Sequence, residues 1–236
     1  MRRAGRVVAA TLARVREACV PGATTAELDA LAERTIREAG GVPSFLGYRG
    51  FPASACVSVN DEVVHGIPGD RRLEEGDIVG IDLGAIVDGY HGDAAVTAPV
   101  GRIGAGAERL VRVTREALER GIAQVRPGRR LLDVARAIQT HVERHGYSVV
   151  RELVGHGIGR SMHEPPQVPN FVDQAEQTVL EAGMTLAIEP MVNEGEAEIT
   201  RDDDGWTIRT RDGTLSAHWE HTVAVGPQGP MILTAP

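Results

Sequence analysis

No lysine occurs in this chain of 236 residues; all 25 basic side chains are arginines. That absence rules out any mechanism built on a lysine nucleophile or Schiff base. Cysteine is nearly as scarce: Cys19 and Cys56 stand alone and far apart, so neither a disulfide framework nor a cysteine metal cluster is expected. No apolar run reaches the roughly 18 residues of a membrane-crossing helix, and the opening residues lack the order of a secretory signal. The expected location is the cytoplasm, with no membrane partner. A net positive charge is also missing, since −8 opposes the field of a nucleic-acid backbone and no arginine cluster reverses it locally. Nucleic acid is therefore not an expected direct partner. What remains is 42% hydrophobic and 25% charged residues, the balance of a chain that folds by itself, at a length suited to one domain.

The chain reads as two similar halves, approximately 1–103 and 104–236. Val8, Leu12, Val15 and Cys19 fall at helical spacing before Pro21 and Gly22 stop the pattern. Thr24 and Glu27 form a capping box for a second helix carrying Leu28, Leu31, Ala32 and Ile36, ended by Gly40 and Gly41. The same order returns after Gly104. Leu110, Val113, Ala117 and Ile122 mark a helix stopped by Pro127 and Gly128, and Leu132, Ala135, Ile138 and Val142 mark its successor. Strand-like stretches repeat as well, LEEGDIVGID from Leu73 and LEAGMTLAIE from Leu180, 107 residues apart, while the Pro-Gly turns lie 106 apart. Several elements recurring in order indicate an internal duplication.

Asp82 and Glu189 end those two stretches, in IVGID and TLAIE, where burial in a sheet is expected. An unpaired buried carboxylate costs several kcal/mol, so it protonates or finds a cation. A single such acid is explained by backbone hydrogen bonds or an arginine at a sheet edge. Two at equivalent positions of a repeat point instead to a metal. Asp93 lies eleven residues beyond Asp82, across an Asp88-Gly89 turn that would fold the two acids together in a hairpin. The second half suggests a comparable hairpin of WTIRT and TLSAHWE, turning at Arg211-Asp212-Gly213, which would bring Glu220 to face Glu189.

His156 stands in GHGIGR, whose glycines allow close approach around an imidazole. The same glycines lack the GK[ST] ending of a phosphate loop. Four carboxylates and one imidazole carry too much negative charge for one small cation and suit two divalent ions, Mn, Fe, Co or Zn. Such a pair activates a water and polarises a carbonyl, the chemistry of amide hydrolysis. His65 in NDEVVHGIP and His163 in MHEPPQ lie near this set and could donate to a developing oxyanion or to substrate backbone. His91 and His221 should alternate away from the metal face. His141 and His145 share a helix face at i, i+4, read as solvated because no HExxH pattern surrounds them.

The motifs NDEVVHGIP, GDIVGIDLGAIVDGYHGD, GHGIGRSMHEPPQV, TLAIEPMV and SAHWEHTVAV, in this order, resemble those of the bacterial type I methionine aminopeptidases over nearly the whole chain. The resemblance implies an α+β pita-bread fold of two pseudo-symmetric halves around a dinuclear metal site. It implies metal ligation by Asp82, Asp93, His156, Glu189 and Glu220, with Glu189 also the general base, and substrate contacts from His65 and His163. It also implies a methionine pocket walled by Tyr48, Phe51, Cys56, Met162 and Trp206, a surface that suits a flexible thioether. The implied activity is removal of the initiator methionine ahead of a small second residue. Nascent polypeptide N-termini are then the partners, the ribosome a further candidate, and the enzyme a monomer. Only 26 positions separate His163 from Glu189, too few for the insertion of type II relatives. The chain departs from common family usage at Met162, where an aromatic is frequent, and at Val64, where a cysteine often precedes the histidine. Both changes touch pocket shape rather than the metals. Two other readings compete: a proline-directed peptidase of the same fold, and a binding module that kept the fold without activity.

Overall fold

The computed structural model describes residues 1–235. In the first half α1 (Arg2–Glu17) and α2 (Thr25–Glu38) precede β1 (Val42–Pro43), β2 (Ala55–Val59), β3 (Glu62–Val64), β4 (Ile78–Val87) and β5 (Tyr90–Pro99). In the second, α3 (Ala105–Ile122) and α4 (Leu131–Arg144) precede β6 (Ser148–Val149), β7 (Gly155–Gly157), β8 (Glu164–Val168), β9 (Thr185–Ile188) and β10 (Met191–Asn193). There follow β11 (Ile199–Arg201), β12 (Ile208–Thr210), β13 (Ser216–His218), β14 (His221–Gly226) and β15 (Gly229–Ile232). Helix pair then strands, twice over, is the architecture that the repeat led us to expect.

The helices form for the reasons legible in their residues. Val8, Leu12 and Val15 bury one face of α1. At the start of α2 the Thr24 amide donates to Glu27 at 2.7 Å while the Glu27 amide donates to the Thr24 hydroxyl at 3.2 Å, so two otherwise unpaired donors are satisfied. Helices α3 and α4 cross closely at Gly121, where an added Cβ would lie 2.8 Å from Ile138. That crossing also covers His141, which is buried and bonded to Glu116 at 3.0 Å. The solvated face expected for His141 is therefore corrected, because the polar partner comes from the neighbouring helix.

Strands β4 and β5 form the long hairpin of the first sheet, turning at Asp88 and Gly89 with φ of 52° and 74°. Two successive left-handed residues match the right-handed twist of the flanking strands. The strand order is β1-β4-β2 with β5 on the free side of β4; a second sheet runs β15-β14-β9-β7-β8. Two sequence expectations need correction here. Strand β4 continues to Val87, so Asp82 sits mid-strand rather than at its end. The hairpin expected across Arg211-Asp212-Gly213 does not form: β12 pairs with β11 and β3, whereas β13 pairs with β10. The turn is present, but each strand finds a better-matched edge elsewhere.

Two apolar cores result. One packs α1 and α2 against β2, β4 and β5 through Val8, Leu12, Leu28, Ile36, Ile81 and Leu83. The other packs α3 and α4 through Leu110, Val113 and Ile138 against Leu186 of β9 and Val223 of β14. A polar seam joins them. Thr97 donates to the His218 carbonyl at 2.8 Å, the Glu220 amide to the Ala95 carbonyl at 2.9 Å, and the Thr222 hydroxyl to the Asp93 carbonyl at 2.7 Å. Strand β5 thus holds the second half at alternating residues, which fixes Asp93 beside Glu220.

The packing of α1 on β5 depends on Gly92, where a Cβ would meet the Gly5 nitrogen at 2.9 Å and the Ala4 carbonyl carbon at 3.1 Å. Those are backbone atoms and cannot swing aside. Gly92→Ala should lower stability by about 1–3 kcal/mol in denaturant titration. An unchanged midpoint would show that α1 and β5 are not in close contact.

Candidate active site

Four acidic side chains converge on one cavity of about 200 Å³. Asp82 comes from the middle of β4, and Asp93 stands opposite Gly84, two residues along, so both carboxylates share one face of the hairpin. Ile188 pairs with His221, which places Glu189, just past β9, beside Glu220, just before β14. Among the described residues no arginine pairs with any of the four. Asp82 Oδ1, Asp93 Oδ1 and Glu220 Oε1 are buried without a hydrogen-bond partner. Burial raises the pKa of all four carboxyls, that of Asp93 to about 7. The negative charge of Asp93 raises Asp82, Glu189 and Glu220 further.

His156, buried on β7, directs Nδ1 to the Gly157 carbonyl at 2.8 Å. That nitrogen is assigned the proton, which leaves the Nε2 lone pair facing the acids. Nε2 lies 3.7 Å from Glu189 Oε1 and 4.0 Å from Asp93 Oδ2, too far to bond either. One donor atom each of Asp93, His156 and Glu220 falls within 4.8 Å of the others. Orphaned carboxylate oxygens, a free imidazole lone pair and no internal counter-charge fit divalent cations.

The remaining histidines divide into two groups. His65, directly after β3, holds a left-handed φ of 60°, uncommon without glycine, and meets Trp206 edge-on at 6.3 Å. Burial, then Arg201, lowers its pKa to about 4. His163 keeps an exposed edge while its inner side stacks on Tyr48 and lies 4.1 Å from the His156 ring. Desolvation of that side, followed by His156 and Arg49, lowers its pKa. Tyr48, expected only as a pocket wall, also brings its hydroxyl within 2.8 Å of His163 Nδ1. His91 bonds Ser44 and His221 bonds Thr234, both away from the acids as expected.

His218 is a residue that the sequence reading missed. It is buried on β13 with Nε2 unpartnered and 4.0 Å from Glu189 Oε2. Strand alternation was the available signal, because His218 stands two residues before Glu220.

The apolar end of the cavity gathers Phe51, Cys56, Met162, Trp206 and Tyr48, all five expected there, together with Phe45, which was not. Phe51 and Trp206 pack edge to face at 5.1 Å. Cys56 is paired in register with Asp82, and burial, then Asp82 and Asp93, raise its thiol pKa. It therefore serves as an apolar wall and not as a nucleophile. Phe45 lies in an irregular loop, where no periodicity marks an inward side chain.

The fold and the carboxylate-imidazole cluster together define a metallopeptidase, and the chain belongs to metallopeptidase family M24, whose profile matches residues 1–227. More narrowly, its full-length similarity is to methionine aminopeptidases. That of Clostridium perfringens is 52% identical over 99% of this chain and 94% of the relative, and that of Escherichia coli K12 is 46% identical over 99% and 89%. The crystal structure of methionine aminopeptidase from Thermotoga maritima superposes with a TM-score of 0.98 at 47% identity, covering 100% of this chain and 95% of that one. A prolidase from Pyrococcus furiosus, at 23% identity and a TM-score of 0.82, shares the fold.

The raised carboxyl pKa values fix a sign for metal-free stability. A group whose folded pKa lies above its unfolded value contributes stability below the unfolded value and loses it as pH rises through the folded one. The histidines whose pKa is lowered act oppositely, and their unfolded-state titration, centred on the ordinary 6.5, is complete only about one unit above it. The melting temperature of the metal-stripped protein should therefore fall between about pH 7.5 and 8.5, and Asp93→Asn should flatten that fall. A melting temperature rising over this interval would contradict the assigned burial.

Proposed function

We propose that this chain is a methionyl aminopeptidase that hydrolyses the first peptide bond of polypeptides beginning with methionine and a small second residue. The observation that carries the reading is one cavity in which an apolar, sulfur- and aromatic-lined end abuts an imidazole and four carboxylates, those of Asp93 and Glu220 buried and those of Asp82 and Glu189 half-buried. Apart from Arg49 over the Tyr48 ring at its edge, the apolar end is walled by aromatic and sulfur-bearing side chains and suits the unbranched thioether of methionine.

Asp82, Asp93, His156, Glu189 and Glu220 would hold two divalent ions, drawn from Co, Mn, Fe or Zn. When bound, these supply Lewis acidity for the scissile carbonyl and for the attacking water. Glu189 faces the cavity and acts as general base, taking the proton of that water. The Tyr48 hydroxyl, given to His163 Nδ1, leaves the proton of this imidazole on Nε2, where it donates to the substrate carbonyl as charge develops there. His65 lines the cavity edge-on to Trp206 and contacts the substrate backbone. The reading assigns a monomer working on newly made chains in the cytoplasm, at or near the ribosome. Among the described residues no helix is long and apolar enough to cross a membrane.

The test compares metal-loaded protein on Met-Ala-Ser and on X-Pro peptides. Methionine release from the first is expected, and cleavage confined to X-Pro would overturn the assignment. With Met-Ala-Ser, Tyr48→Phe keeps the ring stack but removes the hydroxyl. The loss of one neutral hydrogen bond should lower kcat/KM by about three- to tenfold. Full activity in that variant would remove Tyr48 from the orientation of His163.

A further inference from the structure

Strands β3 and β12 lie side by side next to the methionine end of the cavity, which β3 lines with Val64. Strand β3 leads directly into His65, and β12 follows the turn that carries Trp206. The strands pair in register at Ile208 with Val64 and at Arg209 with Glu62, with an irregularity between those two rungs. A ladder of two rungs is short; the Thr210 amide donating to the Asp61 carbonyl at 2.9 Å and the apolar cluster of Val63, Val64 and Ile208 support it, but none of these is a tie between polar side chains.

Arg209 supplies what the ladder lacks. Its Nε donates to Asp202 at 2.7 Å, Nη1 to both Asp61 oxygens at 3.0 and 3.1 Å, and Nη2 to Glu62 at 2.8 Å. Every nitrogen of the guanidinium is engaged. Asp61 and Glu62 belong to the β3 side, whereas Asp202 closes the turn of the Trp206 hairpin. Glu62 is itself fixed, accepting from the Val59 amide at 2.7 Å and from Arg71 at 2.8 Å. Within the turn Asp204 accepts from the Trp206 and Thr207 amides, both at 2.8 Å, which ties the backbone at Trp206 to the start of β12. The planar fork ties three carboxylates that a single ammonium could not reach together.

We propose that Arg209 is a positioning residue for substrate selection: it sets the separation of Trp206 and His65 and thereby the width of the pocket for the first side chain. This rests on the methionine reading above. Arg211, on the same hairpin, pairs only with exposed Glu196 and Glu198 and serves as the control.

The experiment measures KM and kcat on Met-Ala-Ser and Leu-Ala-Ser for Arg209→Gln, Arg209→Lys and Arg211→Gln. Trp206 emission is recorded in a Trp219→Phe background. Arg209→Gln should raise KM for Met-Ala-Ser by about tenfold or more with kcat within about threefold, narrow the preference over Leu-Ala-Ser, and shift Trp206 emission to the red. Arg209→Lys, which keeps the charge without the fork, should fall between it and wild type, and Arg211→Gln should match wild type. A folded Arg209→Gln with unchanged KM and emission would overturn the proposal. Should that variant not fold, an Arg209→Lys enzyme equal to wild type would do the same. Wild-type protein that leaves Met-Ala-Ser uncut would fail the functional reading instead, and the emission shift would still report on the positioning.

Discussion

Four carboxylates that converge on one cavity, none of them paired with an arginine among the described residues, are the constraint around which this protein is arranged. Left alone they repel, and burial raises their pKa values until protons replace the missing counter-charge. The fold tolerates this because its stability is supplied elsewhere, by two apolar cores that lie beneath the helix pairs. The site carries the cost, and the cores offset it. Such an arrangement makes sense only for a chain whose working form includes cations, so that binding energy and folding energy are linked.

The same constraint explains the seam between the halves. Each half provides two acids, and neither pair is useful without the other. Strand β5 therefore meets the 218–222 segment through reciprocal hydrogen bonds, the Asp93 amide accepted by Thr222 and the His218 amide by Thr97. Those hydroxyl bonds flank a backbone pair between Ala95 and Glu220, so the two sheets meet at one point without merging. His156 then enters from β7, the neighbour of β9, and completes the set from the second half.

Much of this could be read from the residues. The helix pairs, the capping box at Thr24 and the Asp88-Gly89 turn are local events governed by spacing and turn chemistry, and they stand where the sequence placed them. The acids at Asp82 and Glu189 were legible because a repeat put charge where an apolar strand was due. What escaped was non-local. Whether TLSAHWE pairs with WTIRT or with β10 depends on which edges are free, and no local pattern records that. His141 gained a partner from another helix, and Tyr48 gained His163 from a segment 115 residues away. His218 was hidden for a different reason: it lay two residues from a stronger signal, Glu220.

Whether the carboxylate cluster holds cations or shared protons is decided by calorimetric titration of Mn²⁺ or Co²⁺ into metal-stripped protein, repeated with Asp93→Asn and Glu220→Gln. A cation site gives saturable binding approaching two equivalents in wild type, with proton release, and a loss of affinity in both variants. Absence of binding by folded protein, or binding that neither substitution weakens, would contradict it.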